Sequence, residues 1–134
     1  MTWMRWAAFW LLLSAPVGAA GIDWPRFQQE SVVEVLTTDE DGALRETSVW
    51  IVVLDGRGYV RTNDSRWLAN IRRGSGVALR LDEQEFDVVA RESEDPATAA
   101  RVEASFKEKY GLLQRVMSFF RTSEPTLLEL AGPE

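Results

Sequence analysis

The sequence predicts a mainly β fold with α (α+β): a small antiparallel β-barrel with helices at its ends. Three observations carry this reading. Six segments read as strands, against four that read as helices. The strands follow one another through short turns and do not alternate with helices as parallel strands must. One central segment, Val49-Trp50-Ile51-Val52-Val53-Leu54, is apolar on both parities, which calls for burial on both faces.

The elements follow in order. Asp23-Trp24-Pro25 opens a short helix to Glu30, with a cap residue and then a proline whose missing N–H costs nothing at a first turn. Ser31 to Thr38 is β-branched and half alternating, a first strand. Asp39-Glu40-Asp41-Gly42 is a turn, and Leu44 to Leu54 is the second strand. Asp55-Gly56-Arg57-Gly58 turns into the third, Tyr59 to Thr62. Asn63, Asp64 and Ser65 are cap residues for a helix to Arg73, with Trp67, Leu68 and Ile71 on one face. Gly74-Ser75-Gly76 ends it. Val77–Leu81 and Glu85–Arg91 form a hairpin across Asp82-Glu83-Gln84. Asp95-Pro96 starts a helix to Tyr110, with Ala99, Val102, Phe106 and Tyr110 at helical spacing, and Gly111 stops it. A further helix spans 112–121, and Thr126–Leu130 is the sixth strand.

Residues 1–20 read as a secretory leader. Arg5 is its positive charge, Trp6 to Leu13 its apolar run, and Ser14 to Ala20 a tract of small residues suited to a signal peptidase, with cleavage near Ala20. The run is shorter than the roughly 20 residues a membrane-spanning helix needs. The alternative is an uncleaved anchor. Either way residues 21–134 form one domain outside the cytoplasm, secreted or periplasmic.

Composition excludes several chemistries. The 134 residues contain no Cys and no His. There is therefore no disulfide, no thiolate nucleophile, no Ser-His-Asp triad and no usual zinc site. Proton transfer falls to a carboxylate, Lys, Tyr, Arg-bound water or a cofactor. The formal charge of −6 argues against nucleic acid as a partner. Hydrophobic residues at 46% and charged residues at 27% are the proportions of a folded domain.

Against that acidic background stand six arginines between 57 and 80: Arg57, Arg61, Arg66, Arg72, Arg73 and Arg80, with only Asp64 among them. The guanidinium fork suits phosphate or carboxylate oxygens. Arg45 and Thr47 add a charge and a hydroxyl on one strand face. Two readings stand at this point: pairing with the many acids on solvated faces, or convergence on an anionic ligand.

A pattern of residues decides which to pursue. Leu36-Thr37-Thr38, then Arg45-x-Thr47-x-x-Trp50, Tyr59-Val60-Arg61-Thr62, Ser65-x-Trp67-x-x-Asn70-Ile71-Arg72 and Val77-x-Leu79 resemble the flavin-binding split-barrel superfamily. That superfamily includes the pyridoxamine-phosphate-oxidase-like proteins and the deazaflavin-dependent nitroreductases. The resemblance covers roughly residues 31–110 and is nearer still to a branch of small stand-alone domains. It implies a six-stranded split barrel with flanking helices, acting as a homodimer with cofactor at the subunit interface. It implies that Arg45 and Thr47 contact the flavin phosphate, with Thr62, Asn63 and Ser65 reaching it from the loop. It places Trp67, Asn70 and Arg72 on the following helix, where Asn70 bonds loop backbone, Arg72 helps hold the tail, and Arg66 stands in for a basic pair. Val49 to Ile51 pass beneath the ring.

Individual residues keep a plainer alternative. Trp50 and Trp67 read as core first and ring-stacking second. Tyr59 and Arg61 share a strand face at the pocket. Met117 with Phe119-Phe120 reads as core, subunit seam or membrane-touching edge, the seam favoured. The functional expectation is an oxidoreductase-like protein that uses FMN or a deazaflavin on a small organic substrate, with no metal and no stable membrane span. The alternative is a non-catalytic envelope module that holds haem, flavin or another anionic ligand on the same dimeric barrel.

Overall fold

The computed structural model describes residues 21–119 and 125–133, with the backbone alone over 112–119. Ten elements follow one another: α1 (Trp24–Gln29), β1 (Val33–Thr38), β2 (Leu44–Val49), β3 (Val52–Leu54), β4 (Arg57–Thr62), α2 (Arg66–Arg72), β5 (Val77–Leu81), β6 (Gln84–Glu92), α3 (Pro96–Phe119) and β7 (Thr126–Ala131). The expected leader lies outside the described residues, as do the side chains of Met117, Phe119 and Phe120. Among the described residues no helix is long and apolar enough to cross a membrane.

The strands form one curled antiparallel sheet in the order β2-β1-β5-β6-β7-β4-β3. The long strand β6 produces the curl. Its first half pairs with β5, from Leu81↔Gln84 to Val77↔Val88, and its second half with β7, from Val89↔Ala131 to Glu92↔Leu128. One strand thus belongs to two half-sheets and turns the corner between them. The result is a half-barrel with flanking helices, the split barrel the sequence implies, built from seven strands where six are expected. The extra one comes from the predicted strand 44–54, which breaks at Trp50-Ile51 into β2 and β3.

The barrel interior is a continuous apolar core. It holds Val33 and Val35 of β1, Val60 of β4, Leu79 and Leu81 of β5, Phe86 and Val88 of β6, and Leu128 and Leu130 of β7. Strand alternation supplies these residues from every strand that lines it. Helix α1 plugs one mouth with Trp24 and Phe27, and Phe27 meets Phe86 edge-on at 5.4 Å. Gly58 makes room for this plug: a Cβ there would stand 2.6 Å from the Trp24 ring. Helix α2 closes another side with Trp67 and Leu68, 5% and 1% exposed. A second, smaller cluster lies between the outer face of β3-β4-β7 and helix α3, where Val52, Tyr59 and Leu127 pack on Val102 and Phe106.

The local signals act as their chemistry dictates. The Asp23 carboxylate accepts from Arg26 N and caps α1, with Pro25 in the first turn. The Ser65 hydroxyl accepts from Leu68 N and caps α2. The Asp95 carboxylate accepts from the Thr98 N–H and hydroxyl at the start of α3. Gly111 adopts φ 55° and kinks α3 where a helix end is expected, a conformation that only glycine enters cheaply. The β5–β6 hairpin turns through Asp82 and Glu83, both at positive φ as a two-residue turn of this hand requires.

Candidate functional site

The six-arginine run sorts itself by partner. Arg57 pairs with Glu129, Arg61 with Glu103, Arg72 with Glu92, and Arg80 with both Glu34 and Glu46. The two that remain, Arg66 and Arg73, have no carboxylate at ion-pair distance among the described residues. Both line one cleft of about 370 Å³, together with Ala69 and Asn70 of α2 and Asp39, Glu40 and Asp41 of the β1–β2 turn. Positions 66, 70 and 73 share a face of α2 at one-turn spacing.

A polar network fixes that wall. Asn70 is 3% exposed and donates through Nδ2 to Thr37 Oγ1 at 3.0 Å and to Asp39 Oδ1 at 2.8 Å. Its Oδ1 accepts from Arg73 Nη1 at 3.0 Å, and Arg73 Nη2 donates to the Thr38 carbonyl at 2.6 Å. Arg45 grips Asp39 with both arms of its fork, at 2.7 and 3.0 Å. That guanidinium, then the Asn70 amide, holds the Asp39 carboxyl below its usual range. The Ser75 hydroxyl, in the loop after α2, accepts from Thr38 N at 2.9 Å and donates to the Gly76 carbonyl at 2.7 Å. Strand β1, strand β2 and helix α2 are thus tied together at this end of the sheet, and the charge on Asp39 is already matched.

The predicted site residues fall into groups. Arg45 joins the network just described, and half-buried Thr47 follows it on the inward face of β2. Thr62 and Ser65 meet, with Oγ1 to Oγ at 2.9 Å, at the entry to α2, and Asn63 stands exposed between them. Trp67 is in the barrel core. Arg72 points away toward β6 and takes the Glu92 carboxylate in a fork, at 3.0 and 2.6 Å. Arg61 and Trp50 lie on the α3 side: the Arg61 guanidinium sits 3.8 Å over the Phe106 ring, and Trp50 stacks on Tyr110 at 4.3 Å. The nine residues therefore do not share one pocket. Arg45 bonds the cleft residue Asp39, and Thr47 follows it on β2. Thr62, Asn63 and Ser65 form the entry to α2, and Trp50, Arg61, Trp67 and Arg72 serve α3, the core or β6. None of the nine is among the residues that line the cleft.

Two expectations need correction. Asn70 bonds side chains, not loop backbone, because the buried Thr37 hydroxyl and the Asp39 carboxylate lie within reach of its amide. The strand across Trp50-Ile51 does not continue, because α3 supplies the partners a neighbouring strand would. The Tyr110 hydroxyl accepts from Ile51 N at 3.0 Å and donates to the Ser31 carbonyl at 2.8 Å. Lys109 Nζ donates to the Ile51 carbonyl at 2.6 Å and to the Phe27 carbonyl at 3.3 Å. Burial, only slightly offset by Glu30, pulls the Lys109 ammonium down to about 8. The sequence reading counts Arg73 among the six arginines and Asp39 in a turn but does not join them, although the spacing 66-70-73 is that of one helix face.

Among the described residues no group of Asp and Glu is arranged to hold a metal ion. What the cleft offers is two guanidinium forks, the Asn70 amide and the carboxylates of Asp39, Glu40 and Asp41, of which Asp39 is bonded by Arg45.

The curled half-barrel with flanking helices is the split-barrel fold, shared with solved structures described as a heme storage protein, an F420-H2 dependent reductase and a putative pyridoxamine 5'-phosphate oxidase. Within it, the chain belongs to the family described as an uncharacterised protein conserved in bacteria (DUF2255), whose profile matches residues 23–127. HutZ, the heme storage protein of Vibrio cholerae, superposes with a TM-score of 0.65 at 18% identity, over 82% of this chain and 87% of its own. Protein Rv2991 of Mycobacterium tuberculosis gives 0.67 at 21%, over 90% and 81%. An F420-H2 dependent reductase gives 0.58 at 16%, over 75% and 94%. At these identities the likeness is one of fold. No curated protein matches the chain.

Proposed function

We propose that this protein binds a flavin- or deazaflavin-type cofactor by its anionic tail and acts as an oxidoreductase-like protein on a small organic substrate. One observation carries the reading: the two arginines of the run with no carboxylate at ion-pair distance among the described residues line the same cleft. A guanidinium that no carboxylate bonds directly keeps donors for an anion from outside. Two of them suit one phosphate group. Asn70 orients Arg73, and Arg45 neutralises Asp39, so the carboxylate beneath the seat does not repel the guest.

The cofactor supplies the hydride or electron chemistry, which is why a chain without His or Cys can serve. The protein's share is to seat the tail and to present apolar strand surface to the ring. A flavin-type ring is favoured over haem on chemical grounds. Haem iron is ordinarily held by His, Cys or Tyr, or by Met beside a His. The chain has no His or Cys, and both tyrosines are engaged, Tyr59 with Glu129 and Tyr110 with Ile51. We further propose a homodimer working outside the cytoplasm after cleavage near Ala20. The leader pattern supports the location and the family resemblance supports the dimer. Cell fractionation and light scattering check these two points.

Titration of the purified protein with riboflavin 5'-phosphate, followed by flavin fluorescence, tests the cofactor reading. Binding is expected, and Arg66→Ala with Arg73→Ala weakens it by about 10- to 100-fold, the loss of one or two charge-assisted bonds. Equal affinity in wild type and double variant would remove the cleft as the seat of the tail.

A further inference from the structure

The sheet has two free edges, β2 at one end and β3 at the other. β2 carries Arg45 and Glu46, and charges along an edge discourage a second strand from pairing there. β3 lacks that protection. The segment Val49-Trp50-Ile51-Val52-Val53-Leu54 holds no charge, no Pro and no Gly, and all but Trp50 and Leu54 are β-branched. A stretch of this composition at a sheet edge is the pattern that pairs with a copy of itself.

The edge is nonetheless closed. β3 joins β4 through a two-residue turn, from Leu54↔Arg57 to Val52↔Tyr59, so Leu54 and Val52 direct their backbone groups to β4. Val53 and, just before the strand, Ile51 direct theirs outward. Side chains take both outward N–H groups and the Ile51 carbonyl. The Val53 N–H donates to Gln28 Oε1 of α1 at 2.8 Å. The Ile51 N–H donates to the Tyr110 hydroxyl at 3.0 Å, and the Ile51 carbonyl accepts from Lys109 Nζ at 2.6 Å. Two helices far apart in sequence thus supply the bonds that an added strand would make.

We infer that the outer edge of β3 is a strand-pairing surface for a second copy of this chain, held shut by Gln28, Lys109 and Tyr110. The partner is a second copy because the segment is uncharged and apolar on both parities. Two copies of it oppose no like charges in any register, and each offers apolar side chains to the other. Because side chains make the seal, it can be removed without altering the sheet.

The full-length triple variant Gln28→Leu, Lys109→Met, Tyr110→Phe removes the three bonds and keeps side-chain size, including the ring that stacks on Trp50. In dilute solution its Ile51 and Val53 amides should exchange hydrogen about tenfold faster than in wild type, the worth of one hydrogen bond. As concentration rises, light scattering should show association beyond the wild-type state, and the same two amides should become protected again. A folded triple variant that keeps the wild-type mass at every concentration overturns the inference. So does association that leaves those two amides unprotected, since it uses another surface. If circular dichroism shows the triple variant unfolded, Gln28→Leu alone takes its place. It opens only Val53, and should associate at about tenfold higher concentration with the Val53 amide protected. A folded Gln28→Leu protein that never associates beyond wild type then overturns the inference. Neither variant needs a bound cofactor for its readout.

Discussion

The two ends of strand β2 are held by opposite means. At its first end Arg45 engages Asp39, and through it Asn70, Thr37 and Arg73, in a network of charged and polar side chains open to solvent on one side. At its far end Trp50 and Ile51 are held by Tyr110 and Lys109 of α3, through ring stacking and bonds to backbone. The first end keeps cationic groups that the protein leaves without carboxylates; the second buries a cation against carbonyl oxygens. Charge kept at a surface serves a ligand, because water screens its self-energy while an incoming anion is still attracted. Charge drawn inward serves the fold at a cost in desolvation. The comparison teaches that arginine count alone is a poor guide to a site, because four of the six arginines of the run are taken up by carboxylates of the protein itself.

Four substitutions break or sharpen this contrast. Tyr110→Ala should have the largest effect on stability, about 2–4 kcal/mol by denaturant unfolding. It removes the stack on Trp50 and leaves Ile51 N without its acceptor. Asn70→Ala should cost about 1–3 kcal/mol, since buried Thr37 loses its donor, and should also weaken anion binding by freeing Arg73. An Asn70→Ala protein with wild-type stability would show that the network at the first end is ornamental.

Lys109→Met addresses the second end through pH. The folded Lys109 releases its proton near 8, while the unfolded side chain holds it to 10.5. From about pH 8 toward 10 the unfolded state binds more protons, so Lys109 makes wild-type stability rise with pH in that window. The variant should lose this rise. The slope must be read below the tyrosines, whose raised values act in the opposite direction above their ordinary 10.0. A rise of equal slope in Lys109→Met would assign it to another group. Arg66→Ala should have the smallest effect on stability, within about 0.5 kcal/mol, because its exposed side chain makes no hydrogen bond or ion pair among the described residues and acts on Asp39 only at a distance. Loss of stability there would mean that Arg66 has a structural partner after all.

Much of the barrel was legible in residue order. Caps at Asp23, Ser65 and Asp95, the stop at Gly111 and the turn at Asp41-Gly42 are local chemistry, acting within a few residues, and the structure uses each of them. The break at Trp50-Ile51 was not legible, because its cause lies nearly sixty positions away on α3. The site was legible only in part. The resemblance pointed to Arg45, which bonds the cleft residue Asp39, and to the loop before α2, whose residues do not line the cleft. It also pointed to Trp50, Arg61 and Arg72, which tertiary packing directs to α3 and β6.

The amino-acid sequence by itself determined the strand and helix inventory, the antiparallel class and an acidic domain carrying a basic segment. Periodicity, caps and turns are short-range and act before any distant contact forms. Tertiary structure alone decided which arginine meets which carboxylate. Such pairings depend on sheet order and register, and strands far apart in sequence, such as β4 and β7, become neighbours only when the sheet curls. It therefore left Arg66 and Arg73, and not the other four, without a carboxylate at ion-pair distance among the described residues.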